Sequence, residues 1–272
     1  MSGSSLLSRL TLMQALALAL PLYPRAPGVE LGEAVFTAPG AAPLVIYLHG
    51  GGYVVGGLHS HDDVCAEICQ RTGLTVIAVD YRLSPEHQHP AALDDALAVA
   101  RATPGPLVLA GDSAGGNLAA ATAHALRDSR ILGQVLIYPG LGGDRSSGSY
   151  QTHAFAPMLT LADVEFYAGI RHSGVEPSGD ASVTPLQDDD FTRLPPTLAI
   201  AAECDPLADD AHAYAAKIRA AGGRAQAVTA TGLVHGYLRA RATVPRAAAS
   251  FSEICNAITA MAHGRWPYGE PL

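Results

Sequence analysis

Ser113 stands in Gly111-Asp112-Ser113-Ala114-Gly115, between the apolar run 106–112 and an alanine-rich stretch that reads as a helix. Serine and glycine are common in turns, where they tolerate unusual backbone angles. The G-x-S-x-G spacing here falls where a strand hands over to a helix. In that context a strained turn lifts a serine hydroxyl above a sheet as a nucleophile. Such a serine needs a base, an acid to orient the base, and donors for an oxyanion. The chain has 11 histidines, so type alone selects none. His235, in "ATGLVHGY", follows the last predicted strand and precedes the last predicted helix, which suits the base. Asp205, in "CDPLADD", ends the strand before it and suits the acid. Glu203, Asp209 and Asp210 are its rivals. Asp209 and Asp210 fit the start of the next helix, where a carboxylate favours the dipole. Glu203 falls on the opposite strand face from its neighbour, so Asp205 is favoured. His49-Gly50-Gly51-Gly52 ends another apolar run. Its glycines leave backbone N–H groups open to a substrate oxygen. A phosphate loop is disfavoured, because no Lys-Ser/Thr pair follows and the glycine spacing is not G-x-G-x-x-G.

Groups of this kind converge at the carboxyl ends of the strands of a doubly wound sheet. The apolar runs 43–50, 74–81, 106–112, 133–139, 196–203 and 224–230 read as strands. Segments 61–73, 90–102, 114–127, 208–221 and 246–262 read as helices, the first with Asp62 or Asp63 near its N-cap and Gly73 at its end. Strands apolar on both faces and separated by helices predict a mostly parallel sheet covered on both sides. Residues 141–195 break the rhythm, hold one helix-like piece, "TLADVEFYAGIRH", and are too long for an ordinary connection. They predict an insertion over the sheet edge, of the kind that serves as a lid. The predicted organisation is a catalytic unit at 26–140 and 196–272, with cap elements at 1–25 and 141–195. Leu16, Leu20, Phe155, Phe166 and Tyr167 are the apolar residues expected to line an acyl pocket. The apolar stretch within 1–25 is too short to span a bilayer. With no clear cleavage site, it is expected to be an amphipathic or buried helix rather than a signal peptide.

Composition narrows the partners. The chain has 272 residues, 49% apolar and 15% charged, which suits a globular protein with a substantial core. A net charge of −8 without a long basic run disfavours nucleic acid and anionic membranes. The four cysteines are expected to be free thiols in a reducing cytoplasm. His59, His61, His87 and His89 form two H-x-H pairs, but nothing completes a metal set, so no metal and no cofactor is expected. The expected partner is a small molecule, with a homodimer left open and no stable membrane insertion.

Together these features resemble the bacterial hormone-sensitive-lipase-like (family IV) esterases of the α/β-hydrolase fold. The resemblance rests on "HGGGY" (49–53), "DYRLSPEHQHPAALDDA" (80–96), "GDSAGGNLAA" (111–120), "LPPTLAIAAECDPLADDAHAYAAKIRAAG" (194–222) and "HGY" (235–237). It implies a carboxylesterase with Ser113 as nucleophile, Asp205 as acid and His235 as base. It also implies backbone donors at Gly51, Gly52 and Ala114, with His49 shaping the loop. His49, Gly50, Tyr53, Asp112 and Leu207 complete the expected substrate-binding set, although the Asp112 side chain should point away from that of Ser113 into a structural hydrogen bond. The chain departs from the family in its short N-terminal segment, which implies a small cap. It also carries Asp210 where Glu is usual. A short-chain ester is the expected substrate. A lactone, formamide or amide is the alternative, and a non-catalytic receptor is a more distant one, since no member of the triad is missing.

Overall fold

The computed structural model describes residues 30–32, 35–37, 43–174, 177 and 179–269. The segment 1–25, with Leu16 and Leu20, lies outside the described residues. Among the described residues, eight strands form one sheet: β1 (Glu30–Gly32), β2 (Val35–Thr37), β3 (Leu44–Leu48), β4 (Val76–Ala78), β5 (Leu107–Asp112), β6 (Ile131–Ile137), β7 (Thr197–Cys204) and β8 (Ala225–Val234). Their order is β1-β2-β4-β3-β5-β6-β7-β8. The six from β3 to β8 are parallel, and β1 and β2 add an antiparallel edge.

Both faces of the parallel strands are buried, which is why their sequences read as unbroken apolar runs. Ile46, Leu48, Leu107 and Leu109 face one layer, built with α2 (Ala91–Ala102), α3 (Ala114–Leu126) and α6 (Ala208–Ala220). Val45, Tyr47, Val108 and Ala110 face the other, built with α1 (Leu58–Thr72) and α7 (Pro245–Ala262). The period-2 alternation of a strand thus splits each run between two cores.

Several boundaries differ from the sequence expectation. β1 and β2 were not foreseen, because three residues carry no periodicity. β4 stops at Ala78, and the chain then bends so that the Tyr81 hydroxyl donates to the His49 carbonyl at 2.6 Å. α1 begins at Leu58, before Asp62 and Asp63; Gly57 is its N-cap, and the Gly57 N–H donates to Ser60 Oγ at 3.0 Å. Gly73 closes α1 in the left-handed region at φ 68°.

Residues 141–195 carry α4 (Gly148–Thr152), α5 (Leu161–His172) and a short 3-10 turn at Pro185–Gln187. Thr160 and Asp163 start α5 by a reciprocal capping box. Val54, Tyr150, Leu159, Tyr167 and Leu207 form a separate apolar cluster under this segment. Its anchors are two carboxylates from the first turn of α6. Asp209 accepts the Ser149 N–H at 2.8 Å. Asp210 Oδ2 accepts from the N–H groups of Leu141 (2.6 Å), Gly142 (3.1 Å) and Gly143 (3.3 Å) and from the Tyr150 hydroxyl (3.0 Å). These residues begin a helix, as expected, but their charges serve the loop above rather than the helix dipole alone.

Asp210 is buried, and its Oδ1 has no hydrogen-bond partner. Burial pushes its carboxyl up to about 6, against the lowering effect of its four donors. A carboxyl raised by folding binds its proton more tightly in the native state. Its contribution to stability is therefore complete below about pH 4, the unfolded value, and is lost as pH rises through about 6. We expect Asp210→Asn to gain stability relative to wild type as pH rises across that window, by roughly 2–3 kcal/mol. Urea unfolding of both proteins at the two ends of the window measures it; a difference independent of pH would refute the burial argument.

Candidate active site

Strand neighbours bring the site together. β3 and β5 are adjacent, with Leu48 registered on Gly111, so the loops after them start side by side. One loop is His49–Gly52 and the other carries Ser113. Across the sheet, Cys204 of β7 is registered on Val234 of β8, which sets Asp205 beside His235. The gap between β3 and β5 is also where the chain changes winding direction, the place where open α/β sheets form clefts.

Ser113 is the N-cap of α3 at φ 55° and ψ −120°, a strained conformation for a residue with a side chain. The turn is held by close packing. A Cβ on Gly115 would run into the Leu48 carbonyl, and one on Gly111 into the Gly115 carbonyl. Any side chain there would force the elbow off the sheet. The Ser113 N–H donates to the Ile137 carbonyl at 2.9 Å.

His235 Nε2 lies 2.8 Å from Ser113 Oγ, and its Nδ1 lies 2.6 Å from Asp205 Oδ2. Asp205 is fully buried, and its other oxygen accepts the Leu207 N–H at 3.0 Å. Both carboxylate oxygens are thereby fixed. This arrangement allows proton transfer from the serine to an imidazole held in one tautomer. Of the rival acids, Glu203 is turned outward and accepts the Gly232 N–H, and Asp209 and Asp210 hold the 141–149 loop.

The glycine loop is shaped from below. Gly51 has φ 133° and Gly52 φ 62°, and a Cβ on Gly52 would strike the Tyr167 ring. The Gly51 and Gly52 N–H groups donate to no acceptor among the described residues. Ala114, the first residue of α3, has no intrahelical acceptor for its own N–H. His49 Nδ1 donates to the Gly50 carbonyl at 2.8 Å, and its ring stacks on Tyr81 at 4.2 Å between centroids. Burial first, and then His61, bring His49 down to about 4, so the ring is neutral at neutral pH.

Asp112 points away from Ser113 into the core. Its carboxylate accepts from the Gly50 N–H (2.9 Å), Tyr47 hydroxyl (2.9 Å) and Tyr138 hydroxyl (3.3 Å), and it faces His61 Nε2 at 3.3 Å. Burial opposes its ionisation, but His61, the hydrogen bonds and Arg239 outweigh burial and hold it well below the usual carboxylate range.

A cavity with about 620 Å³ of empty space, partly open to solvent, lies over Ser113. Of the expected substrate-side residues, Tyr53 and Leu207 line it, whereas His49, Gly50 and Asp112 lie behind its wall. Tyr167 also lines it. Phe155 instead stands 95% exposed, and Phe166 packs beside Tyr167 without reaching the cavity. His61 faces Asp112 and His89 contacts Ser182, so one histidine of each H-x-H pair is taken up by a structural contact.

Three contributors were not singled out from sequence. Asn117 accepts the Tyr53 hydroxyl at 2.5 Å and donates to the Gly140 and Val183 carbonyls at 2.7 and 3.0 Å. It lies inside the quoted "GDSAGGNLAA", so its proximity to Ser113 was available. Tyr138 packs on the His235 ring at 4.8 Å between centroids, and no local pattern announces it. Arg171 lines the cavity at the end of a helical face formed by Val164, Tyr167 and Ala168. The i, i+3, i+4, i+7 spacing of that face was its only trace.

Comparison with known proteins agrees with this geometry. A family model described as alpha/beta hydrolase fold matches residues 45–239. Esterase LipI of Mycobacterium tuberculosis is 35% identical over 260 residues, covering 88% of this chain and 80% of that one. An ethyl acetate hydrolase of Pseudomonas putida is 36% identical over 217 residues, covering 73% and 67%. The solved structure of a Pyrobaculum calidifontis esterase superposes with a TM-score of 0.76 at 32% identity, covering 93% of this chain and 90% of that one. With its elbow at the end of β5 and its glycine loop at the end of β3, the chain belongs to the α/β-hydrolase family, in the hormone-sensitive-lipase-like branch of esterases.

Proposed function

We propose that this chain is a carboxylic ester hydrolase for short acyl chains, working through Ser113, His235 and Asp205. The observation that carries the reading is the unbroken hydrogen-bonded line from Ser113 Oγ through the His235 ring to buried Asp205. The esterases among its relatives support the reaction class.

In this mechanism Ser113 Oγ attacks the ester carbonyl carbon while His235 Nε2 accepts its proton. The carbonyl oxygen becomes an oxyanion facing the N–H groups of Gly51, Gly52 and Ala114. Removing one donor of this kind typically costs about 3–4 kcal/mol of transition-state stabilisation. The oxyanion then collapses, the C–O bond to the alcohol breaks, and His235 passes its proton to the departing oxygen. Water, deprotonated by His235, attacks the resulting acyl-Ser113 ester. Its collapse frees the acid and returns the proton to Ser113. Asp205 holds the tautomer and stabilises the imidazolium.

Residues 141–195 act as the lid. Their support for this role is the apolar cluster over the cavity and the Asp209 and Asp210 ties to α6. The walls nearest Ser113 are large and packed, Tyr167 and Leu207 being almost buried. Each added methylene gains about 0.8 kcal/mol only while there is room, and overpacking then reverses the gain. A relative named for ethyl acetate supports the short range. Among the described residues no helix is long and apolar enough to cross a membrane. The four cysteines are free, which supports a reducing cytoplasm.

Two measurements test this. Ser113→Ala should lower kcat on p-nitrophenyl acetate by at least about 10³-fold with an unchanged circular dichroism spectrum; retention of a few per cent of wild-type turnover rules out Ser113 as nucleophile. Across p-nitrophenyl esters kept below micelle-forming concentrations, kcat/KM should peak between acetyl and about hexanoyl and fall by dodecanoyl. A maximum at dodecanoyl or longer overturns the closed pocket and makes the enzyme a lipase.

A further inference from the structure

Arg171 is a buried cation, 5% exposed, in contact with no carboxylate among the described residues. The guanidinium lies over the Tyr53 ring, 3.8 Å from its centroid. Nη2 donates to the Ser182 carbonyl at 3.3 Å and lies 3.4 Å from His89 Nδ1. Nε and Nη1 make no hydrogen bond to a described residue, and the Arg171 side chain lines the cavity. Asp180 is near enough to feel the charge but not in contact. His89 and His172 are the other titratable groups facing it, and burial and Arg171 itself both drive them toward their neutral forms. A buried guanidinium left in this state is costly. The stacking on Tyr53 offsets only part of that cost.

The place of this cation matters. Arg171 lines the same cavity as Ser113. That wall holds two guanidiniums, of Arg145 and Arg171, and no carboxylate, in a chain of net charge −8. The path between nucleophile and cation is short. Asn117 stands one turn along α3 from Ser113, about 6 Å, and bonds the Tyr53 hydroxyl beneath Arg171. His235 is not among the residues lining this end of the cavity, and Met158 lies beside its neighbour Gly236. The leaving alcohol must sit by His235 to receive its proton. The acyl chain therefore runs the other way, toward Asn117, Tyr53 and Arg171.

We propose that Arg171 is an anion subsite for the far end of the acyl chain, so that the preferred substrates are half-esters of dicarboxylic acids of roughly four to six carbons. The free carboxylate would accept from the uncommitted guanidinium donors in a charge-assisted fork. This deepens the esterase reading and rests on it.

The test uses two substrates with one leaving group and one chain length. Mono-p-nitrophenyl adipate carries the free carboxylate, and its methyl-capped diester does not. The quantity read is the ratio of kcat/KM for the anionic over the neutral ester, after subtraction of spontaneous hydrolysis. In wild type we expect that ratio above one. Arg171→Met should lower it at least about fivefold, mainly through KM for the anionic ester, and Arg171→Lys should restore part of it. Because each protein supplies its own neutral reference, a general loss of activity does not mimic the effect. A fall of less than fivefold in Arg171→Met makes Arg171 a structural prop for Tyr53 and overturns the proposal. Should Arg171→Met fail to fold, wild type alone decides, and a ratio below one overturns it. Absence of activity on p-nitrophenyl acetate would instead refute the esterase reading, so the two failures are distinguishable.

Discussion

The buried carboxylate of Asp112 is the tie on which the site depends. It is bonded at once to the Gly50 N–H, the Tyr47 hydroxyl and the Tyr138 hydroxyl, and it faces His61. Each partner belongs to a different part of the machinery. Gly50 lies in the His49–Gly52 loop, of which Gly52 lines the cavity. Tyr138 packs against the His235 ring. Asp112 itself is the residue before Ser113. A charge in the core would ordinarily be unfavourable. Here its acceptor capacity is filled by donors that need fixing in place, so the electrostatic cost of burial is offset by order in the site.

Topology supplies the rest. The loops holding Ser113 and the glycines are neighbours because β3 and β5 are paired, although 62 residues separate Gly50 from Asp112. Asp205 and His235 meet because β7 and β8 are paired across a register shift between Ala202 and Cys204. That irregularity lets β8 run on to Val234, beyond the predicted end at 230, and delivers His235 at the height of Ser113. Apolar strands thus set the distances among polar groups that never touch until the chain is folded.

The sequence disclosed what lies in contiguous residues. The elbow and the glycine loop are local devices, since close backbone packing demands small residues at adjacent positions. Asp205 and His235 were readable because each ends a strand and chain order limited the choices. The six parallel strands and six of the helices, the "TLADVEFYAGIRH" helix of the insertion among them, were legible in the sequence. The short strands β1 and β2 were not, because three residues define no period. Tyr138, Asn117 and Arg171 escaped because their roles are set by partners well apart in the chain, such as Asp112 for Tyr138 and Tyr53 for Asn117. Phe155 illustrates the converse failure. An apolar residue in an insertion was expected to line the pocket, yet hydrophobicity alone does not say which way a loop turns, and it faces solvent.

One short stretch links substrate access to catalysis. Asp205, Pro206 and Leu207 lead directly into Asp209 and Asp210. Within six residues the chain places the carboxylate on His235, the Leu207 side chain in the cavity wall and the two anchors of the 141–149 loop. The Pro206 carbonyl also accepts the Ser149 hydroxyl at 2.7 Å. These bonds tie the loop over the cavity to the turn that carries Asp205. Asp205 in turn holds His235, so the loop and the base lie on one hydrogen-bonded path. The same stretch places the buried Asp210 charge at the base of the loop, where its protonation alters the hold on Leu141, Gly142 and Gly143 without touching the reacting atoms. One turn thus supplies both the catalytic acid and part of the cavity wall, with the sheet below as their common support.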